Sequence, residues 1–267
     1  MVDCGSTSKK SIDYLNTKKI KSIVIDHHEI NKPYPATNVL INPKKNADHP
    51  LKNYYCATTL TYFFLEILIN KTKSSFNLPN YLIYVLLAVV CDVMPIRKIN
   101  RYIALNLIKN FKINNNIVFK TLYELSKKKN SFTIEDLGFF IGPIINSGGR
   151  LSNSQISAEL LISENFDIVK AKSLKLIKLN NTRKDIEIKI LKEINFKKFE
   201  KENKDVIIYY SSKIKEGLIG IIASRLKDYF NKPSIVITTS QNILKGSARS
   251  TENYNIGNVI KDLIDKK

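Results

Sequence analysis

The order of apolar and polar positions divides the chain into blocks of different period. Between residues 19 and 100, short branched apolar runs alternate with longer stretches of helical spacing. Ile20 to Ile25 and Thr37 to Ile41 read as strands, Pro43 to Lys52 as a polar loop, and Ala57 to Ile69 as a helix. Such alternation predicts an α/β fold, a parallel sheet with flanking helices. Residues 101 to 163 read as mostly helical. From Phe166 to about Lys198 the chain is highly charged and contains neither Pro nor Gly, with Leu174, Ile177, Ile186 and Ile190 among its apolar positions. A second strand-helix-strand pattern follows: Val206 to Tyr210, Gly217 to Phe230 and Ser234 to Thr238, then Ile243 to Ser250 as a further strand or turn.

Three apolar runs end abruptly in an acid. In Ile23-Val24-Ile25-Asp26-His27-His28, a branched strand delivers a carboxylate and two imidazoles at its C-terminal end, the edge where α/β proteins build their sites. The chain has three histidines, and two of them are here. Val2-Asp3-Cys4-Gly5 and Ala88-Val89-Val90-Cys91-Asp92-Val93-Met94-Pro95 each deliver one further carboxylate. A single Asp after an apolar run is ordinarily a helix cap or a loop start. Three together supply carboxylate and imidazole donors suited to Mn²⁺ or Mg²⁺, and the absence of a CxxC pair argues against a thiolate zinc site.

The 267 residues, 43% hydrophobic and 25% charged, suffice for a sizeable core in one large or two ordinary domains. A net charge of +19 suits a phosphate-rich partner, since Lys and Arg that neutralise phosphates release counterions. Abundant Lys, Asn and Ile are also what AT-rich coding produces, so arginines placed in motifs are more informative than the total. The longest apolar run, Tyr81 to Cys91, falls short of the roughly 20 residues that span a bilayer, and no membrane association is expected. No basic segment followed by an apolar one stands at the N-terminus. Cys4, Cys56 and Cys91 are odd in number and unrelated in spacing, which points to reduced thiols and a cytoplasmic location.

The acid-bearing motifs belong to a longer series. Asp3-Cys4-Gly5, Asp26-His27-His28, Cys91-Asp92-Val93-Met94-Pro95, Leu137 to Leu151, Leu179 to Glu187, Glu216 to Leu226 and Lys245 to Ser250 occur in that order. Together they resemble the DHH family of phosphoesterases from end to end of the chain, and within it the single-strand-specific 5′ to 3′ exonucleases. The resemblance implies a DHH phosphoesterase domain over residues 1–163, a long connecting helix over 164–203 and a second α/β, DHH-associated nucleic-acid-binding domain over 204–267. Relatives carry an Asp-rich motif on an earlier strand and a Gly-Gly-His motif further on. Neither is in this sequence, so the first domain is expected to lack its N-terminal strands and the second to be incomplete.

Carried over residue by residue, the resemblance makes Asp3, His27 and Asp92 metal ligands, in a family site that holds two Mn²⁺ or Mg²⁺ ions. Without the Asp-rich motif, at most one ion is expected to be held well here. His28 is implied to face the scissile phosphate, and Asp26 to orient imidazole beside it. Gly142 to Arg150 is expected to be a loop in which Gly148 and Gly149 let backbone amides approach a phosphate, with Asn146 and Arg150 beside them. Arg225, Ser247 and Arg249 are further nucleic-acid contacts by the same resemblance. Three departures weaken it locally: Ile144 stands where relatives have Arg, Ile214-Lys215 replaces Trp-His, and Ala248 replaces a Gly. The implied activity is removal of nucleotides from the 5′ end of single-stranded DNA in repair and recombination, with single-strand-binding and helicase proteins as partners. Two other readings stand beside it. DHH enzymes acting on short oligoribonucleotides or cyclic dinucleotides share Asp26-His27-His28, and a non-catalytic nucleic-acid-binding remnant would also lack a ligand strand.

Overall fold

A computed structural model of the chain describes residues 1–46 and 48–266. It divides into two compact units, Met1–Asn116 with Lys129–Gly142, and Ile117–Lys128 with Pro143–Lys267. In chain order the first holds α1 (Lys9–Thr17), β1 (Ile23–Ile25), β2 (Val39–Ile41), α2 (Ala57–Thr72), α3 (Leu82–Cys91) and α4 (Lys98–Asn110). After α5 (Ile117–Leu125), which belongs to the second unit, it continues with α6 (Ile134–Asp136) and a π-helical turn over Leu137–Ile141.

β1 pairs in parallel with β2, Ile23 opposite Val39 and Ile25 opposite Ile41. On its other edge Val2 bridges in parallel to Ile25, with Ile25 N–H donating to Met1 O at 3.0 Å and Asp3 N–H to Ile25 O at 2.9 Å. The strand starts later than the apolar pattern predicts. Ile20 N–H closes the end of α1 by donating to Leu15 O, and Lys19 is left-handed with φ 57°, so the chain is still turning there. The most apolar run is helix α3, whose Ile83, Val85, Leu86, Leu87 and Val89 are all buried.

The Gly142 to Arg150 segment is not the expected loop but a helix, α7 (Gly142–Leu151). Its Gly148 is spent on packing: a Cβ there would lie 2.6 Å from Ser157 Oγ and 3.2 Å from Leu176 Cδ2. Pro143 lacks an N–H and its ring clashes with the carbonyl four residues back. The wide turn before it, where Gly142 N–H reaches Leu137 O, accommodates that ring without breaking the helix.

The second unit continues through α8 (Gln155–Ile162), α9 (Phe166–Glu193), α10 (Phe196–Glu202), β3 (Ile207–Tyr210), α11 (Glu216–Phe230), β4 (Ser234–Ser240), β5 (Ile243–Arg249) and α12 (Ile256–Asp265). α9 has 28 residues and is therefore about 42 Å long. The sheet order is β3-β4-β5, the first pair parallel and the second antiparallel. Gln241 and Asn242, both at positive φ, form the two-residue hairpin turn that keeps the strands' twist. Ile207, Leu218, Ile222, Leu226 and Val236 form the core between α11 and this sheet. Among the described residues no helix is long and apolar enough to cross a membrane.

Candidate metal centre and arginine cluster

The first unit gathers its acids and imidazoles at the C-terminal end of β1. His27 Nε2 lies 3.2 Å from Asp3 Oδ1 and 3.9 Å from Asp92 Oδ2, so both acids stand beside one imidazole. One donor atom each from Asp3, His27 and His28 also fall within 4.8 Å of one another, a spacing that fits shared coordination of a cation. Each arrives by a different local device. Asp3 sits at the end of the edge pairing with β1, in a left-handed conformation, φ 61°. His27 and His28 follow β1 one residue on, after Asp26, their rings 4.6 Å apart. Asp92 caps α3, and the left-handed Val93 after it turns the chain so that Met94 N–H returns to Val89 O. Burial pushes the Asp92 carboxyl up, His27 pulls it down and Asp3 pushes it up again, the signature of two acids sharing one imidazole.

Asp26 is buried beneath the pair and donates no ligand atom to it. Its Oδ2 accepts from Ser6 N–H at 2.9 Å, and its Oδ1 accepts from His27 N–H at 2.8 Å and contacts His28 Nδ1 at 2.7 Å. Burial pushes this carboxyl up, but the hydrogen bonds from Ser6, His28 and His27 outweigh it and hold the group well below the ordinary range. An ionised Asp26 fixes the proton of His28 on Nδ1 and leaves Nε2 facing outward.

Two supporting residues are not evident in the sequence. Asn42, at the end of β2, donates to Ser6 Oγ at 2.7 Å and to His28 O at 3.0 Å, tying three segments together. Ser6 supplies the backbone N–H to Asp26. The available signals are the Asn-Pro pair closing β2, and Gly5, whose φ of 115° and missing Cβ, 2.9 Å from Val24 Cγ1, bring Ser6 to the strand end. Cys91 is a packing residue: burial, then the Asp92 charge, push its thiol up to about 11.

In the second unit the predicted nucleic-acid residues divide. Arg150, Arg225, Ser247 and Arg249 come together around α11, while Gly148 is buried and Asn146 and Gly149 are exposed on α7. Two glycines of α11 make this possible. A Cβ on Gly217 would lie 2.8 Å from Arg150 Cα, and one on Gly220 would lie 2.9 Å from Arg249 Nη2 and 3.2 Å from Ser247 Oγ. Arg150 Nη1 donates to Gly217 O at 3.1 Å, and Arg249 Nε to Ser224 Oγ at 3.0 Å. Burial, then Arg183 and Arg249 as like charges, push the Arg150 guanidinium down from its ordinary value. Glu187, the cluster's acid, accepts from Arg183 and Arg225, and neither it nor Arg183 stands out in the sequence beyond its motif. Ile144 and Ile214, two of the departures from the family pattern, are both buried.

Family models match at both ends of the chain: the DHH family, N-terminal domain over residues 1–89 and the DHHA1 domain over residues 203–266. The chain is similar to the single-stranded-DNA-specific exonuclease RecJ of Haemophilus influenzae, 31% identical over 278 residues that cover 97% of this chain and 48% of the relative. RecJ of Escherichia coli K12 is 28% identical, covering 98% of this chain and 48% of its own. The chain thus spans about half the length of the curated relatives it matches. The fold matches the crystal structure of Thermus thermophilus RecJ in complex with Mn²⁺ with a TM-score of 0.79 at 22% identity, over 93% of this chain and 37% of that one. A second crystal structure, exonuclease RecJ bound to manganese, gives 0.77 at 22% identity, over 97% and 64%.

Proposed function

We propose that the chain, whose two ends match the DHH family N-terminal domain and the DHHA1 domain and which is similar to RecJ over nearly its whole length, is a metal-dependent exonuclease that hydrolyses phosphodiester bonds of single-stranded DNA. The observation that carries this reading is the placing of Asp3 and Asp92 beside the His27 imidazole, at 3.2 and 3.9 Å. Asp3, His27 and Asp92 would hold Mn²⁺ or Mg²⁺. When bound, such an ion offsets charge on the phosphate oxygens and acidifies a coordinated water.

The remaining steps fall to the chain's own groups. His28, oriented through Nδ1 by Asp26, presents Nε2 to a phosphate oxygen and holds or passes a proton there. Asp26, ionised in its nest of N–H donors, keeps that tautomer in place. Arg150, Arg225 and Arg249, with Ser247, bind backbone phosphates. We further assign a 5′ to 3′ direction, a role in repair and recombination, single-strand-binding and helicase proteins as partners, and a cytoplasmic location.

Cleavage of end-labelled single strands of graded length, with Mn²⁺ present, tests the reading. Asp3→Ala and His27→Ala are expected to abolish hydrolysis while leaving DNA binding largely intact, and cleavage retained in both would refute the ligand set. Preference for dinucleotides over long strands would move the chain to the small-substrate DHH enzymes. Binding without cleavage in the wild type would make it a nucleic-acid-binding protein only.

A further inference from the structure

In the second unit one buried acid holds two arginines at once. Glu187 lies on α9 with 7% of its side chain exposed, and its two oxygens hold two different guanidinium groups. Oε2 accepts from Arg183 Nη1 at 2.7 Å, one helical turn away, and Oε1 from Arg225 Nε at 2.7 Å, on α11. Arg183 has a second anchor in Asn180 Oδ1 at 3.0 Å. Arg225 is held at Nε and its side chain is 56% exposed, so its terminal nitrogens keep N–H donors for a further partner. Arg249 is fastened in the same manner, through Nε to Ser224, the residue beside Arg225 on α11. Two guanidinium groups on one buried carboxylate, with Arg150 close enough to feel its charge, leave a positive surplus that a phosphate group would neutralise.

We infer that Glu187 is a positioning residue for phosphate recognition, fixing Arg183 and Arg225 so that their remaining donors meet the backbone of a bound strand. The inference rests on the reading of the chain as a single-strand nuclease and adds to it a residue that need not touch DNA. Positioning and simple charge predict opposite signs. If Glu187 acted only through its charge, Glu187→Gln would raise the local positive potential and tighten binding of a polyanion. If it holds the arginines, the same change loosens them and weakens binding.

The test measures binding of a fluorescent oligothymidylate by anisotropy in EDTA, and its cleavage with Mn²⁺, using the full chain. Glu187→Gln is expected to raise Kd and KM about tenfold, with the loss falling on KM rather than kcat. The salt dependence of binding should also become shallower, by about 0.7 in log–log slope for each phosphate no longer neutralised. Glu187→Asp keeps the charge but is too short to reach both arginines, so it should weaken binding in the same direction. In Glu187→Gln/Arg225→Ala the loss should not exceed that of Arg225→Ala by much, because one acts through the other. Unchanged or tighter binding by Glu187→Gln, or additive losses in the pair, would overturn the positioning role. Should Glu187→Gln lose its native circular dichroism, Glu187→Asp decides alone, and an unchanged Kd there overturns the inference. A wild-type chain that neither binds nor cleaves the strand overturns the underlying reading instead.

Discussion

His28 Nδ1 and Asp26 Oδ1 meet at 2.7 Å, two residues apart on a chain that has just left β1. The contact is as short as it is because Asp26 is buried and receives backbone N–H groups from Ser6 and His27 that keep it ionised. A histidine fixed in this way offers one known nitrogen to its surroundings. Asp26→Asn should lose the tautomer control and set its amide against one of those N–H groups, lowering Mn²⁺-dependent cleavage roughly 10- to 100-fold, as for other residues that orient a metal-site imidazole. Single-turnover rates at saturating Mn²⁺, alongside a thermal melt, would check it, and full activity would remove Asp26 from the mechanism.

Asn42→Ala tests the tie between β2 and the histidine turn. The side chain satisfies His28 O and Ser6 Oγ and accepts from Lys44 N–H. Its removal leaves a backbone carbonyl in need of a partner and should cost about 1–3 kcal/mol. Urea denaturation followed by circular dichroism reads this directly.

Two glycine substitutions should differ in kind. Gly5→Ala meets both a positive φ of 115° and the Val24 side chain, so it should destabilise the first unit by roughly 1–3 kcal/mol. Gly217→Ala puts its methyl against the backbone of Arg150, which cannot swing aside as a side chain can. It should therefore displace α11 from α7 and weaken oligonucleotide binding as well as lower the urea midpoint. A Gly217→Ala protein with native midpoint and affinity would show that the close approach is dispensable.

Alkylation should sort the cysteines. Cys4 is exposed, Cys56 is buried with its thiol pushed up by that burial, and Cys91 is raised to about 11. Since the thiolate is the reactive species, native protein treated briefly with iodoacetamide near neutral pH should gain one label, on Cys4. Peptide mass spectrometry would locate it, and rapid labelling of Cys91 would contradict its packing role.

What the sequence discloses depends on how local the cause is. Ile23-Val24-Ile25 reads as a strand because its branched residues end at a charged turn, and Asp26, His27 and His28 follow from it. Arg225 is ambiguous in the sequence between a phosphate contact and an ion-paired residue, and it makes an ion pair with Glu187 while more than half exposed. The segment around Gly148 misleads, since glycines beside a proline look like loop residues. Their cause is tertiary: Ser157 and Leu176 from later helices press against Gly148. Asn42 and Ser6 are only indirectly marked, by the Asn-Pro pair and Gly5, for a similar reason, because their partners lie 14 and 20 residues away along the chain, at His28 and Asp26.

The central place of β1, held by β2 on one edge and by Met1 to Asp3 on the other, leaves the strand no freedom to slide. A shift by one residue would turn Val24 outward and hand the place of Asp26 to a neighbour. Insertions and deletions between positions 23 and 28 should accordingly be absent from active descendants of this chain. Changes in length should accumulate instead in the exposed Lys18 to Lys21 turn, where a residue can come or go without moving the strand it precedes.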